Sequence, residues 1–471
     1  MATSSPLRKI RNAVARYRTL SEDLARVRGD VDLLLTRIDQ LRGVLDAQTE
    51  ELRAIRHHSS LGVRRGGLQA SCLRVLFLVH NVTAWGSLDE LFTLMAESED
   101  FEPVVVSIPH DYDHRRGEQY GEEEVHDFLS REGIGHIRVR ESQLGDVPML
   151  LRALDPAIVV RQSQWDADVD EVFSTAALDW TRLVLVPYEM VNIVRLDQPG
   201  DPPVNVAVDL PFHRAAWMVF LANRSALHAA RAGSLTGGSQ FRAVGHPKVD
   251  AVRRTDPVWP LPDQNPQRRR VLWSATHSFM TGWNDFGMFP WTNEAMLAWA
   301  REEPETDFVL IRHPHFHDTV LRPDSPLSES EYLSWERSWN ALQNTEVYGG
   351  HYAGVMAGTD VVVTDGLSMM CEPQLLGKAV FFLEREGHAP FNEIGEQLAT
   401  GVHRCVDVEE VRRAVDAHWR RGHDDLSEAQ AHNVETLFGE PGAARRILQE
   451  IRAQIALERG NHRPGALDAH D

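Results

Sequence analysis

Apolar positions between Ile10 and Ile55 recur every seven residues in two series. One runs Ile10, Tyr17, Leu24, Val31, Ile38, Leu45, Leu52; the other, three residues on, runs Ala13, Leu20, Val27, Leu34, Leu41, Gln48, Ile55. These fit the a and d positions of a coiled coil, so the pattern predicts a self-associating helix over residues 7–56. Mixed β-branched residues and Leu at a, with Leu-rich d positions, lean toward a parallel homodimer. The flanking charges leave orientation open. Asp23 with Arg28 and Glu51 with Arg56 attract, whereas Arg37 with Arg42 repel. The alternative is a single long helix lying on the protein's own body.

After a Gly/Ser/Arg-rich linker at 57–71 the pattern changes to short apolar runs. Leu73–Val79 is nearly uninterrupted, as a strand covered on both faces should be. Val104–Ile108, His136–Val139, Ala157–Val160, Arg182–Val186 and Trp217–Ala222 are further strand candidates. A helix capped by Ser87, then Glu122–Arg131 and Asp146–Leu154, fall between them. Residues 255–270, rich in Pro and charge, read as a second linker. Strands then follow at Val271–Thr276, Asp307–Arg312, Val361–Thr364 and Ala379–Leu383. Their helices are Asn293–Arg301, Leu367–Leu376, Val406–Arg420, Ser427–Phe438 and Pro441–Glu458, and a disordered tail covers 459–471. Alternation at this spacing means βαβ units and parallel sheets. The expected fold class is α/β, with one Rossmann-like domain over 72–254 and a second over 271–458, facing each other across a cleft.

Composition narrows the partners. The net charge is −20 and the pI about 5.5, which argues against a general nucleic-acid or anionic-membrane binder. The three cysteines, Cys72, Cys371 and Cys405, form no CxxC pair, so a disulfide framework or structural zinc is not expected and a reducing cytoplasm fits. No window approaches the length of a transmembrane segment, and the first residues carry no apolar signal region.

Several segments in order resemble the CDP-glycerol glycerophosphotransferase family, the teichoic-acid polymerases and primases of bacterial walls. They are VGHPKVDAV (Val244–Val252), RRVLWSATHS (Arg269–Ser278), FVLIRHPHF (Phe308–Phe316), GTDVVVTDGLSMMCE (Gly358–Glu372) and GKAVFFLERE (Gly377–Glu386). LVPYEMVNI (Leu185–Ile193) is fainter. The resemblance implies a GT-B fold and transfer of glycerol phosphate from a nucleotide-diphospho donor such as CDP-glycerol. The acceptor would be a hydroxyl of a surface polymer or its lipid-linked precursor. Two departures stand out. The family's His-Gly-Thr in the first domain is not found between the sheets, and Leu367 replaces one of its paired serines, leaving Ser368. A sugar transferase or epimerase of the same fold, or an inactive scaffold recruiting partners through the coiled coil, are the competing readings.

A diphosphate needs hydrogen-bond donors at strand carboxyl ends and helix N-termini. Arg312 and His313 end one strand, and the resemblance implies that His313 contacts the diphosphate; packing on Pro314 is the alternative. Gly366 and Ser368, in the turn TDGLS, offer N–H and hydroxyl donors. Asp365 is expected to cap the helix that follows. Glu372, four residues past Ser368, is a candidate for ribose hydroxyls or else a solvated helix residue. Thr276 and His277 end another strand. Alternating His313, His315 and His317 invite a metal, but the intervening Pro314 argues against one, and no metal or cofactor is expected. Asp166 and Asp168 read as a helix start at the surface. An acceptor hydroxyl requires a base, and His80, His110 and Glu189 follow strands of the first domain; the choice among them stays open, with His80 first because histidine titrates near neutrality.

Overall fold

The computed structural model describes residues 70–110, 121–195, 197–198, 204–262, 267–282 and 284–461, with Leu68 and scattered positions between 27 and 62. Residues 1–66 form one unit and residues 67–471 another. In the first unit the described positions from Val27 to Gly62 are helical. Val27, Val31, Leu34, Ile38, Leu41, Leu45, Leu52 and Ile55 are 46–67% exposed. The earlier heptads lie outside the described residues, as does the predicted tail beyond Asn461.

The second unit holds two parallel sheets. The first comprises β1 (Leu73–Val79), β2 (Phe101–Ser107), β3 (His136–Arg138), β4 (Ile158–Arg161), β5 (Arg182–Leu185), β6 (Met218–Leu221) and β7 (Phe241–Ala243). They run β3-β2-β1-β4-β5-β6-β7. The second comprises β8 (Arg269–Ala275), β9 (Thr306–Arg312), β10 (Thr345–Val347), β11 (Val361–Thr364), β12 (Ala379–Leu383) and β13 (His403–Cys405), in the order β10-β9-β8-β11-β12-β13. Alternate residues feed opposite cores. Val75, Phe77 and Val79 enter one cluster and Leu76 and Leu78 another; Val271 and Trp273 enter a third and Leu272 a fourth. Each sheet is therefore covered on both faces, which is why its strands read as continuous apolar runs.

Three features correct the sequence reading. The helix Ala443–Asn461 does not belong to the second domain. Its Ala444, Ile447, Leu448, Ile451 and Ile455 pack with Val75 and Phe77 in the first. Asp250 Oδ2 accepts the Gly442 and Ala443 N–H groups at 2.9 and 3.0 Å, and Glu458 accepts from Arg182 and Trp217. The described part of 255–270 is not a loose linker but a strap on the second domain. Val258 N–H donates to Gly354 O at 2.8 Å, Trp259 Nε1 to Asp307 at 3.1 Å, and Arg268 pairs with the same carboxylate. Ser87 caps nothing. It is buried in a turn at Trp85–Ser87, and the helix starts at Asp89 after Leu88.

The loop after β5 ties the two sheets together. Arg195 N–H donates to Pro390 O at 2.9 Å, Asn392 N–H to Ile193 O at 3.0 Å, and Asn392 Nδ2 to Asn192 O at 2.9 Å. Beside this tie the loops after β4 and β5 approach those after β9 and β11, Asp168 toward His315 and Glu189 toward Cys371.

Candidate active site

On the second-domain wall, β8 and β11 are paired with Ser274 opposite Thr364, so their following loops emerge side by side. Both oxygens of Asp365 accept backbone N–H groups, Thr276 at 2.7 Å and Met288 at 2.6 Å. Asp365 therefore does not cap its own helix. Leu367–Cys371 starts at Gly366 with no side-chain cap, and Thr364 Oγ1 accepts the Gly366 N–H at 2.9 Å. The pairing puts the carboxylate nearer the neighbouring loop than its own helix. Burial pushes the Asp365 carboxyl up to about 7, against those N–H bonds. It fixes the loop that carries Thr276 and His277. Ser368 is exposed beside it.

The pairing of β8 with β9, Ala275 opposite Arg312, brings His277 against His313. Their rings stack at 4.0 Å, and His315 completes the cluster at 5.7 and 5.5 Å. His313 is open to solvent, and its Nδ1 accepts the His315 N–H at 3.2 Å. In the neutral ring the proton is thus on Nε2, which remains a donor. Arg312 is turned elsewhere. Its guanidinium bonds the Tyr332 hydroxyl and Glu336, at 2.9 Å for the carboxylate, both on the helix Glu329–Asn340.

Glu372 is neither solvated nor unpaired. It is 1% exposed; Oε1 meets Lys248 Nζ at 2.8 Å and Oε2 accepts the Tyr352 hydroxyl at 2.6 Å. Burial opposes the Lys248 charge, but the Glu372 carboxylate holds the ammonium well above its ordinary pKa. Lys248 opens the helix Pro247–Arg254 just after the first domain. His246 beside it reaches the other wall, where its Nε2 lies 2.7 Å from Pro187 O.

The first-domain wall separates the three candidate bases. His80 is 3% exposed, and burial, then Arg161 and His110, lower its pKa to about 3. Its backbone is committed, N–H to Gln162 Oε1 at 3.0 Å and O to His110 Nδ1 at 3.2 Å. Glu189 follows Pro187 and Tyr188 at the end of β5 and is only partly covered. Burial raises its carboxyl, against a hydrogen bond from Gln164 and the Lys248 ammonium. Its field is felt at Cys371 on the opposite wall. Asp168 likewise faces His315 across the cleft, and Ser163 donates to it. Asp166–Asp168 form a short helical turn with none of its residues buried, as expected, and Asp166 pairs there with buried Arg161 at 2.7 Å.

The structure thus brings together Thr276, His313, Asp365, Gly366 and Ser368 on one wall and sets Glu189 on the other. It withdraws His80 and Arg312 into separate networks. Lys248, Tyr352, Gln164 and Asp168 were not assigned from the sequence; only Lys248 carried a signal, as part of the VGHPKVDAV segment. Among the described residues no group of three or more His, Cys, Asp or Glu side chains could hold a metal ion. No described helix is long and apolar enough to cross a membrane.

No protein-family model and no curated protein matches the chain. Solved structures do. Staphylococcus aureus MnaA with UDP superposes with a TM-score of 0.56 at 14% identity, over 82% of this chain and 97% of that one. Neisseria meningitidis UDP-GlcNAc 2-epimerase bound to UDP-GlcNAc gives 0.55 at 13%, over 81% and 100%. The wall teichoic acid polymerase TagF with CDPG gives 0.51 at 11%, over 90% and 99%. At such identities the likeness establishes the fold, and the fold is GT-B.

Proposed function

We propose that the chain is a transferase acting on a nucleotide-diphospho donor, moving glycerol phosphate from CDP-glycerol, or a sugar, to a hydroxyl of a surface polymer or its lipid-linked precursor. The observation that carries this reading is the opposition of two walls. Thr276, His313 and Ser368 offer donors at strand ends, the Gly366 N–H being committed to Thr364 Oγ1, and Glu189 stands in the other domain, near enough for its charge to reach Cys371 on the helix that carries Ser368. The diphosphate lies against the donor wall. The acceptor oxygen attacks the phosphorus of the glycerol phosphate, the anhydride bond to CMP breaks, and Glu189 takes the hydroxyl proton. Its raised pKa makes it a stronger base than an ordinary carboxylate, while His80 is too weak a base and too deep. The donors stabilise charge growing on the departing CMP, so the chemistry requires no metal. Asp365 holds the Thr276 loop, and Glu372 positions Lys248 beneath the site instead of touching ribose.

A second reading, nucleotide-sugar epimerisation, is favoured by one observation. A carboxyl with a raised pKa suits proton transfer to and from a sugar carbon, and of the similar structures one holds UDP and another UDP-GlcNAc. The exposed seam from Val27 to Ile55 supports a homodimer through the coiled coil. We place the enzyme in the cytoplasm, reaching the inner membrane face through a partner. Titration with CDP-glycerol, CMP, UDP-N-acetylglucosamine and GDP-sugars, read as thermal stabilisation, tests the reading. Stabilisation by CDP-glycerol and CMP supports glycerol phosphate transfer, and by UDP-N-acetylglucosamine alone the epimerase. Stabilisation by none contradicts both and leaves an inactive scaffold.

A further inference from the structure

We infer that His277, His313 and His315 form one anion subsite that takes up a proton as the donor's diphosphate binds. This rests on the donor-site reading above and gives that site a pH dependence. The geometry carries it. Three imidazoles lie 4.0 to 5.7 Å apart where β8 and β9 end. Arg312, the nearest guanidinium in sequence, is spent on Tyr332 and Glu336. His277 Nδ1 is buried and has no hydrogen-bond partner, an arrangement that is costly unless a ligand completes it.

Crowding keeps the empty cluster neutral. Burial and then His315 hold His277 down to about 4, and the rings of His277 and His315 oppose a charge on His313, which is itself exposed. A diphosphate reverses the balance. Two negative charges among three rings favour a shared proton, where neutral rings supply only single N–H donors. Among the described residues, the other titratable groups facing the cluster are acids: Asp318, 3.5 Å from His315; Asp168 in the first domain; and Asp365 behind Thr276. Their charges add to the pull for a proton. Glu189, also in the cleft, is a further group able to take one up.

Calorimetry of CDP-glycerol and UDP-N-acetylglucosamine binding to the full chain, in buffers of different ionisation enthalpy, reads the proton directly. Both probes are diphosphate diesters without a phosphate titrating near neutrality, so an uptake belongs to the protein. Near pH 7 we expect uptake approaching one proton, and affinity falling by up to about tenfold per pH unit between pH 6 and pH 8. His277→Gln and His315→Gln should each reduce the uptake and flatten the profile, while Asp168→Asn, Asp365→Asn and Glu189→Gln retain it. Circular dichroism confirms folding of each variant. Binding without uptake, or uptake abolished by Glu189→Gln, Asp168→Asn or Asp365→Asn and kept in both histidine variants, overturns the inference but not the donor site. Failure of both probes to bind at any pH overturns the donor-site reading, and the inference with it.

Discussion

Lys248 Nζ lies 2.8 Å from Glu372 Oε1 and links the helix leaving the first domain to the donor wall of the second. Glu372 is buried and Lys248 largely so, with 14% of its side chain exposed, so neither tolerates loss of the other. Lys248→Met should cost about 3–5 kcal/mol of stability by leaving the carboxylate unpaired, and Glu372→Gln a similar amount. The double variant should recover much of the loss. Urea unfolding midpoints of the four proteins check this; additive losses would show that the pair is not coupled.

The Asp365 carboxyl gives a signed pH prediction. Its folded pKa, about 7, stands above the ordinary aspartate value, so the folded state binds a proton that the unfolded chain has released. The stability it contributes is complete below pH 4 and is lost as pH rises toward and through 7. Thermal midpoints of wild type and Asp365→Asn between pH 4 and pH 8 should therefore converge as pH rises. Asparagine has one acceptor oxygen for the two N–H groups of Thr276 and Met288, so the variant should be the weaker protein at pH 5. A gap that widens with pH would refute this account of the carboxyl.

Glu189→Gln separates catalysis from folding. With a base removed, kcat should fall by about 10²–10⁴ while donor affinity holds. In wild type, kcat at saturating donor should rise with pH through a pKa above the usual carboxylate range, since burial raises that group. The same sign makes the ionised carboxyl a cost at pH 8, where Glu189→Gln should unfold no earlier than wild type. His80→Gln should behave in the opposite way, losing stability more than catalytic constant.

Leu34 and Leu41 are 57% and 67% exposed on the first-unit helix. Aspartate at both should reduce the mass measured by light scattering from a dimer to the 53.2 kDa monomer. An unchanged mass would remove the coiled coil as the dimer contact.

The sequence disclosed the interior of each sheet better than its borders. β1, β11 and β12 begin and end where their apolar runs do, because strands covered on both faces leave no polar alternation to confuse the edges. β7, β10 and β13 carry no readable pattern: each has three residues and at least one charged or polar side chain, too short for a period to register. Donor-wall residues were legible because each follows a strand directly. The wall's supports were not. Glu372 finds Lys248 124 residues away, and the His277–His313 stack depends on the register of β8 and β9, which local patterns do not encode. Asp365 looks like a cap in the sequence because N-caps are local and common; its two partners come from another loop.

The central claim is that a nucleotide-diphospho donor lies against Thr276, His313 and Ser368. Calorimetric titration of CDP-glycerol and UDP-N-acetylglucosamine into wild type and His313→Ala at pH 7 tests it most directly, with circular dichroism verifying that both are folded. The account predicts that at least one donor binds wild type and that His313→Ala weakens it by tenfold or more, about 1.4 kcal/mol. Equal affinity in the two proteins, or no binding of either donor, would contradict it.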